Sequence, residues 1–438
     1  MRSLSLFCRF SAATLVLLTI PKPTLAGNSN DPEPPRLKTV RVETTVNVRN
    51  AGAVGNGIHD DTAAIQKALD GAKREVIIPP GTYLISATLK VHSQTRIKAA
   101  ATSVIRLADH AGRDFDTFLL CNANPQEGNA DIIVEGGIWD GNSEHNPRGK
   151  ENAQRSYSGV VLNFSNVRNL TVRDLTIRNP ESFSIRLGRV ADFAIENIVF
   201  DQLRARPNQD GVHVGGFCER GTVRNMSVSS PSGTNDDMVA LNADDDVRRH
   251  FNRGMECGPI RDIRIEHLEA ANAYTFVRLL SRENAIENVL VDGIHGGFRT
   301  NAINIDRWRF PPGGGKIRNV TIRNVQVRKT ENNAHPYLPI ESAVERLHIE
   351  TFRRQTADDA AASTLLIDNG KPNRLVIRGL SRQQADNLLK QLPQPKRGVM
   401  TKVKPADGAQ VDLDATAEGK IVLGEGSFSE LSLSANPK

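Results

Sequence analysis

Three carboxylates stand out by type and spacing. Asp210 lies in Asn208-Gln-Asp-Gly211, and Asp236 and Asp237, within Asn235-Asp-Asp-Met-Val-Ala-Leu241, follow it by 26 and 27 positions. That interval approximates one turn of a coiled β-structure, whose neighbouring strands lie ~4.8 Å apart, so residues one turn apart in sequence become neighbours in space. Grouped carboxyls suit acid and base chemistry at an acetal, where one protonates the departing oxygen and another activates water or attacks. Like charges held together also keep one member protonated near neutral pH.

The elements around these residues repeat. Val167-Arg-Asn-Leu-Thr-Val172, Val190-Ala-Asp-Phe-Ala-Ile195 and Val223-Arg-Asn-Met-Ser-Val228 share one pattern. Ile260–Ile265, Ile286–Val291, Ile317–Ile322 and Val344–Ile349 continue it, with third positions at 169, 192, 225, 262, 288, 319 and 346. Each unit alternates apolar and polar residues, the periodicity of a strand, and a repeated short unit implies a solenoid whose coils pack only on their neighbours. The recurring Asn or Asp suits a tight corner with left-handed backbone. A sandwich would join its strands by hairpin turns such as Asn-Gly, which these units lack. A continuous solenoid is expected over 46–380, with 381–438 as a C-terminal cap and tail in which Ser381–Leu392 is helical.

Ahead of the repeats, Gly52-Ala-Val-Gly-Asn-Gly57 precedes Asp60-Asp-Thr-Ala-Ala-Ile-Gln66 and Pro79-Pro-Gly-Thr-Tyr83. Ala63–Asp70 reads as a short helix capped by Asp60 or Asp61, with Ala64, Ile65, Ala68 and Leu69 on one face. This order resembles the start of the pectate-lyase-like superfamily of right-handed parallel β-helices. The resemblance implies an all-β, right-handed parallel β-helix with a short N-terminal capping helix.

Within that frame the carboxylates resemble glycoside hydrolase family 28, the polygalacturonase family. Its Asn-Thr-Asp motif falls on Asn208-Gln-Asp210, its Gly-Asp-Asp motif on Asn235-Asp-Asp237, and its first-coil Ile-Asp-Gly segment on Ile138-Trp-Asp-Gly-Asn142. The resemblance implies Asp236 as general acid, Asp210 and Asp237 as holders of the attacking water, and Asn208 as their orienting partner. It implies inversion, with carboxyls ~6.5–9.5 Å apart to admit that water. Adjacent strand residues face opposite sides, so Asp236 and Asp237 share a site only if the chain bends there, as Pro231-Ser-Gly-Thr-Asn235 suggests.

Two family motifs are altered. The Gly-His-Gly region is here Asn272-Ala-Tyr-Thr-Phe-Val-Arg-Leu-Leu280, leaving Tyr274 or Thr275 to fill the space with Arg278 nearby. The Arg-Ile-Lys clamp for a substrate carboxylate falls on Asn304-Ile-Asp306, which exchanges two cations for a neutral and an acidic residue. Charge-assisted Arg–carboxylate bonds are strong, so galacturonate binding is expected to weaken unless Arg278, Arg299 or Arg307 compensates. His213 is expected to line the cleft, and Trp139, Tyr274 and Trp308 to be candidates for stacking on sugar rings. Asp244-Asp-Asp246 is a weaker candidate for calcium than for a solvated loop. Substrate binding is thus assigned to Asn208, His213, Tyr274, Arg278, Asn304, Asp306 and Trp308. No metal and no cofactor is expected.

The bulk of the chain agrees. Residues 1–26 have a basic start at Arg2 and Arg9, an apolar run over 10–20 and Thr24-Leu-Ala26 at the end. They read as a signal peptide, too short for a membrane anchor, and place the protein outside the cytoplasm, secreted or periplasmic. Residues 27–45 read as a flexible leader. Loss of Arg2, Arg9 and Lys22 reduces the net charge from +6 to +3, without the clustered basic stripe of a nucleic-acid binder. Cys121, Cys218 and Cys257 then remain, an odd number that allows at most one disulfide. A monomer acting on a polysaccharide is expected, a glycoside hydrolase on a pectin-like or related plant, algal or microbial polymer. The alternatives are lyase or C5-epimerase chemistry on uronates and a non-catalytic glycan-binding β-helix.

Overall fold

The computed structural model describes residues 31–149, 156–230, 234–307, 310 and 314–355, and beyond these 362, 365–367, 373–380, 403–404, 422–423 and 428–435. The expected signal peptide, Trp308 and the expected helix at 381–392 lie outside the described residues.

Among the described residues the fold is all-β apart from a helix at Thr62–Leu69 and one 3-10 turn at His250–Asn252. Strand pairs with strand of the next coil in parallel, as in Leu162↔Ile185, Ile185↔Val212, Val212↔Val239, Val239↔Val277 and Val277↔Ile303. Apolar residues at these positions point inward and stack into one continuous core, with Val212, Val239, Val277 and Ile303 all fully buried. The fold is therefore the expected parallel β-helix. Strands Phe428–Ala435 and Val422–Leu423 continue its sheets beyond residue 380.

Corners explain the recurring Asn and Asp. Asn169, Asp192, Asp262, Asn288 and Asn319 all have left-handed backbone, with φ of 61°, 57°, 57°, 54° and 52°. Asn and Asp tolerate that region better than most residues, and their side chains bond along the stack: Asn288 Nδ2 donates to Asp262 Oδ1 at 2.9 Å, and Asn319 Nδ2 to Asn288 Oδ1 at 3.0 Å. One expected repeat is out of step. Gly221 pairs with Phe193 and with Ile263, so Arg220 rather than Asn225 occupies this corner. Asn225 stands at the next corner, donating to Asn197 Oδ1 at 2.8 Å. Each coil has two such corners with the same preference for Asn, so the pattern matches equally well five residues away.

At the N-terminal end, Ile65, Ala68 and Leu69 of the helix are buried and pack toward strands Arg74–Ile78 and Leu89–Val91. Asp60 accepts the first helical N–H, from Thr62, at 3.0 Å, while Asp61 turns away to accept from Val54 and Gly55. Before the first strand, residues of the expected flexible leader are held along the side of the stack. Asp31 pairs with Arg323 at 3.0 Å, Pro32 O accepts from Arg264 at 2.7 Å, and Lys38 exchanges two hydrogen bonds with Asn169.

Candidate active site

One strip of the solenoid surface carries the site. Next to the inward residues Val212, Val239, Val277 and Ile303, successive coils put His213, Ala240, Arg278 and Asn304 in one column away from the core. Three residues earlier on each coil, Asp237 pairs with Thr275 and Thr275 with Asn301, and Gly211 N donates to Asp237 O at 2.9 Å, which sets Asp210 beside Asp237. The 27-residue interval is thus one coil. Gly211 is required by close approach, because a Cβ there would stand 2.4 Å from Met238 O and 2.7 Å from the Phe200 ring.

The strand begins at Asp237, and Asn235 and Asp236 lie in the bend before it. That bend brings both carboxylates to one side, and one oxygen each from Asp210, Asp236 and Asp237 lie within 4.8 Å of one another. The spacing is tighter than the ~6.5–9.5 Å expected for inversion. Asp210 and Asp237 are buried, and Asp236 keeps part of its surface open to solvent.

Electrostatics divide the three. Burial is the largest cause raising Asp236, the charge of Asp210 adds to it, and together they push its carboxyl up to about 7 against the opposing pull of Arg278. Burial and the charge of Asp236 likewise raise Asp237 well above the ordinary range. Asp210 stands beside a cation: His213 Nδ1 is 2.7 Å from its Oδ2, and His213 Nε2 is 3.3 Å from Asp245 Oδ2. Burial alone would discharge this imidazole, but the two carboxylates outweigh it and push it up to about 9. Burial opposes the charge on Asp245 too, and His213 overrides it, holding that carboxyl well below its usual range. The imidazole stacks on Phe183 with ring centres 3.9 Å apart.

The other expected site residues fall as follows. Asn208 donates to Asp236 Oδ2 at 3.3 Å and accepts from Arg148 and Arg249. Arg278 makes two bonds to Asp306, at 3.2 and 3.1 Å, and lies 3.7 Å from Asp237. Asn304 donates to Asp306 at 3.2 Å. Tyr274 is 37% exposed beside the strip, with Arg299 over its ring at 5.8 Å. The Thr275 hydroxyl is buried with no hydrogen-bond partner, and so is Asn304 Oδ1. Arg299 donates to Asn235 Oδ1 at 2.8 Å, and Arg307 Nη1 lies 3.3 Å from Phe310 O.

Two expectations are corrected. Trp139 is no stacking platform: it is wholly buried in the core, where its indole N–H donates to Gly136 O at 3.1 Å. The strand Ile138–Asp140 alternates, and Trp139 is its inward residue. The triplet Asp244–Asp246, expected as a solvated loop, is largely taken up by protein partners, with Asp244 buried. Asp244 accepts three N–H groups from Arg282, Glu283 and Asn284, Asp245 faces His213, and Asp246 pairs with Arg248. Asp245, Arg148 and Arg249 were not foreseen at the site, because each comes from an excursion between strands. Cys121, Cys218 and Cys257 are all free.

The molecule is thus a parallel β-helix with a carboxylate cluster on one strip of its surface. The family model described as rhamnogalacturonase A/epimerase, pectate lyase-like, matches residues 45–309. The chain belongs to that family. It is similar to a polygalacturonase of Persea americana, 25% identical over 304 residues, which cover 66% of this chain and 61% of the relative. It is also similar to plasmin and fibronectin-binding protein A of Streptococcus pneumoniae, 29% identical over 173 residues, covering 36% of this chain and 24% of that protein. The chain thus spans about three fifths of the first relative's length and about a quarter of the second's. The crystal structure of PfbA, a surface adhesin of Streptococcus pneumoniae, shares the fold with a TM-score of 0.53 at 15% identity, over 76% of this chain and 88% of that one.

Proposed function

We propose that the chain is a secreted glycoside hydrolase acting on a pectic polysaccharide. The observation that carries this reading is the division of three adjacent carboxyls into a partly open acid pushed up to about 7 and a carboxylate held against a buried imidazolium. Asp236, open to the groove, gives its proton to the glycosidic oxygen as the C1–O bond breaks. A water between Asp210 and Asp237 attacks C1 and passes a proton to Asp210. Such a water needs little room: two hydrogen bonds of ~2.8 Å at its near-tetrahedral angle span about 4.5 Å, which the cluster provides. Attack from the face opposite the leaving group inverts C1. Export through residues 1–26, right-handed winding and closure of the N-terminal end by the helix Thr62–Leu69 complete the proposal.

The substrate reading follows from Arg278. Its guanidinium is taken up by Asp306 and Asp237, and the neighbouring strip offers the neutral groups of Asn304, half-buried, and Tyr274, exposed. These suit the hydroxyls of a neutral sugar at that subsite, as in a pectic backbone that alternates neutral and acidic residues. Mass spectrometry of products from pectic polymers, with Asp236→Asn as control, tests the proposal. Fragments gaining one water each, absent with the variant, support hydrolysis. Unsaturated ends would establish a lyase instead, and glycan binding without any fragment would leave only a binding protein. Proton NMR of the first product's anomer separates inversion from retention.

A further inference from the structure

The column holding the carboxylates changes character at Asp210. Ser184 N donates to Asp210 O, and Val161 N to Phe183 O, so Phe183 and Val160 occupy this position on the two preceding coils. Asp237, Thr275 and Asn301 occupy it on the following ones. On the apolar side, Phe118, Val160 and Phe183 form a small cluster of their own with Phe251, separate from the core inside the solenoid. Phe251 comes from the 3-10 turn His250–Asn252, in the excursion that follows the strand of Asp237. That excursion therefore folds back over the earlier coils.

Its cover is close. Arg186, on the coil before His213, is 3% exposed, with its guanidinium on Asn163 Oδ1 at 2.8 Å, on Phe251 O and over the Phe118 ring. A second excursion reinforces it: Arg148 lies 5.4 Å from the Phe251 ring centre and bonds Pro207 O at 2.6 Å. Both excursions reach Asn208, which itself touches Asp236. One residue thus separates the cover from the acid group. On the other side the strip stays accessible, with Tyr274 and Arg307 more than a third exposed.

We infer that the groove is closed at the Asp210 side and open at the Arg278 side, so that the enzyme works from polysaccharide ends and releases short products. The inference rests on the hydrolase reading. A continuous chain cannot lie across both sides of Asp236, because the place of its earlier residues is filled by Phe251 and Arg148. Only a chain end can enter as far as Asn208.

The test is viscometry together with time-resolved product sizing on polygalacturonic acid and rhamnogalacturonan. The expected result is release of the shortest sugars from the first time point, while viscosity stays nearly constant. Early appearance of long and intermediate fragments with rapid loss of viscosity would overturn the inference and leave the hydrolase reading standing. No cleavage of these polymers or of oligosaccharides from them would remove the hydrolase reading, and the inference with it. Phe251→Ser and Arg148→Ala are expected to shift products toward longer fragments. The wild-type measurement decides the matter even if either variant fails to fold.

Discussion

Asp236→Asn is the most informative perturbation, because the structure gives it a size. With its carboxyl at about 7, half of the Asp236 population carries a proton at pH 7, whereas an ordinary Asp at 3.8 would carry one in roughly 1,600 molecules. The site thus raises the supply of acid at neutral pH. Positioned acid catalysis contributes about 10²–10⁴ in rate, or roughly 3–5 kcal/mol of barrier at 1.36 kcal/mol per tenfold. The variant should lose about that factor in kcat/KM on the natural polymer. It should lose far less on an aryl glycoside whose phenol departs without protonation. The pH profile gives a second reading: the wild type should fall tenfold per unit above about pH 7, and the variant should not. Asp236 and Asp237 are close enough to titrate as a pair, so the limb reports their common proton. Equal losses on both substrates, or an alkaline limb that survives in the variant, would refute the assignment of Asp236 as acid.

Folding stability should also depend on pH. Asp236 is raised in the fold, so its contribution is complete below about 3.8 and is lost as pH rises through about 7. His213 is raised from 6.5 to about 9, so its contribution is complete below 6.5 and lost as pH rises through about 9. Calorimetric Tm should therefore fall across both windows, with Asp236→Asn flattening the first and His213→Gln the second. Arg278→Leu leaves Asp237 and Asp306 without their cation and should cost about 3–5 kcal/mol in urea unfolding, part of it recovered by a further Asp306→Leu. Gly211→Ala forces a methyl against Met238 O and should cost about 1–3 kcal/mol, with a fall in kcat because Asp210 is displaced. On matched oligosaccharides, a neutral sugar at the subsite beside Asn304 should give kcat/KM at least equal to that with a uronic acid there, whereas a charge-assisted bond to the uronate, about 1.5–3 kcal/mol, would favour the acidic sugar at least tenfold.

What the sequence disclosed depends on which parts obey the coil period. The inward alternation of Val212, Val239 and Val277 repeats on every coil, and so does the Asn or Asp at the corners, so fold and carboxylate alignment were both legible. The bend that brings Asp236 beside Asp237 was required once strand alternation was set against a shared site, and Pro231-Ser-Gly-Thr-Asn235 suggested it. The partner of His213 was not legible. Asp245 lies in an excursion whose length is free of the period, and no spacing rule connects it to a residue 32 positions earlier. Arg148 and Arg249 reach Asn208 across 60 and 41 positions for the same reason. The Pro-rich leader was read from composition, which reports the lack of an apolar core face and not the ion pair that Asp31 makes with Arg323. Trp139 misled because an aromatic near a carboxylate was weighed without its strand parity.

The altered clamp and the buried imidazole are one rearrangement of charge. Where the family pattern places two cations at positions 304 and 306, this chain has Asn304 and Asp306, and Asp306 draws Arg278 from the preceding coil into a two-bond pair. The guanidinium is also near Asp237, so it moderates the acid pair without being presented to a substrate carboxylate. On the other flank, Asp210 is paired with His213, whose charge is fixed by Asp245. The cluster thus has a cation on each side, His213 and Arg278, and each is held between two carboxylates. A buried charge is tolerated only where a partner lies within reach, and here each cation has two carboxylates to share. Retaining Arg278 and His213 therefore requires Asp306 and Asp245, and that requirement ties the loss of the carboxylate clamp to the same residues that tune the acid and the base.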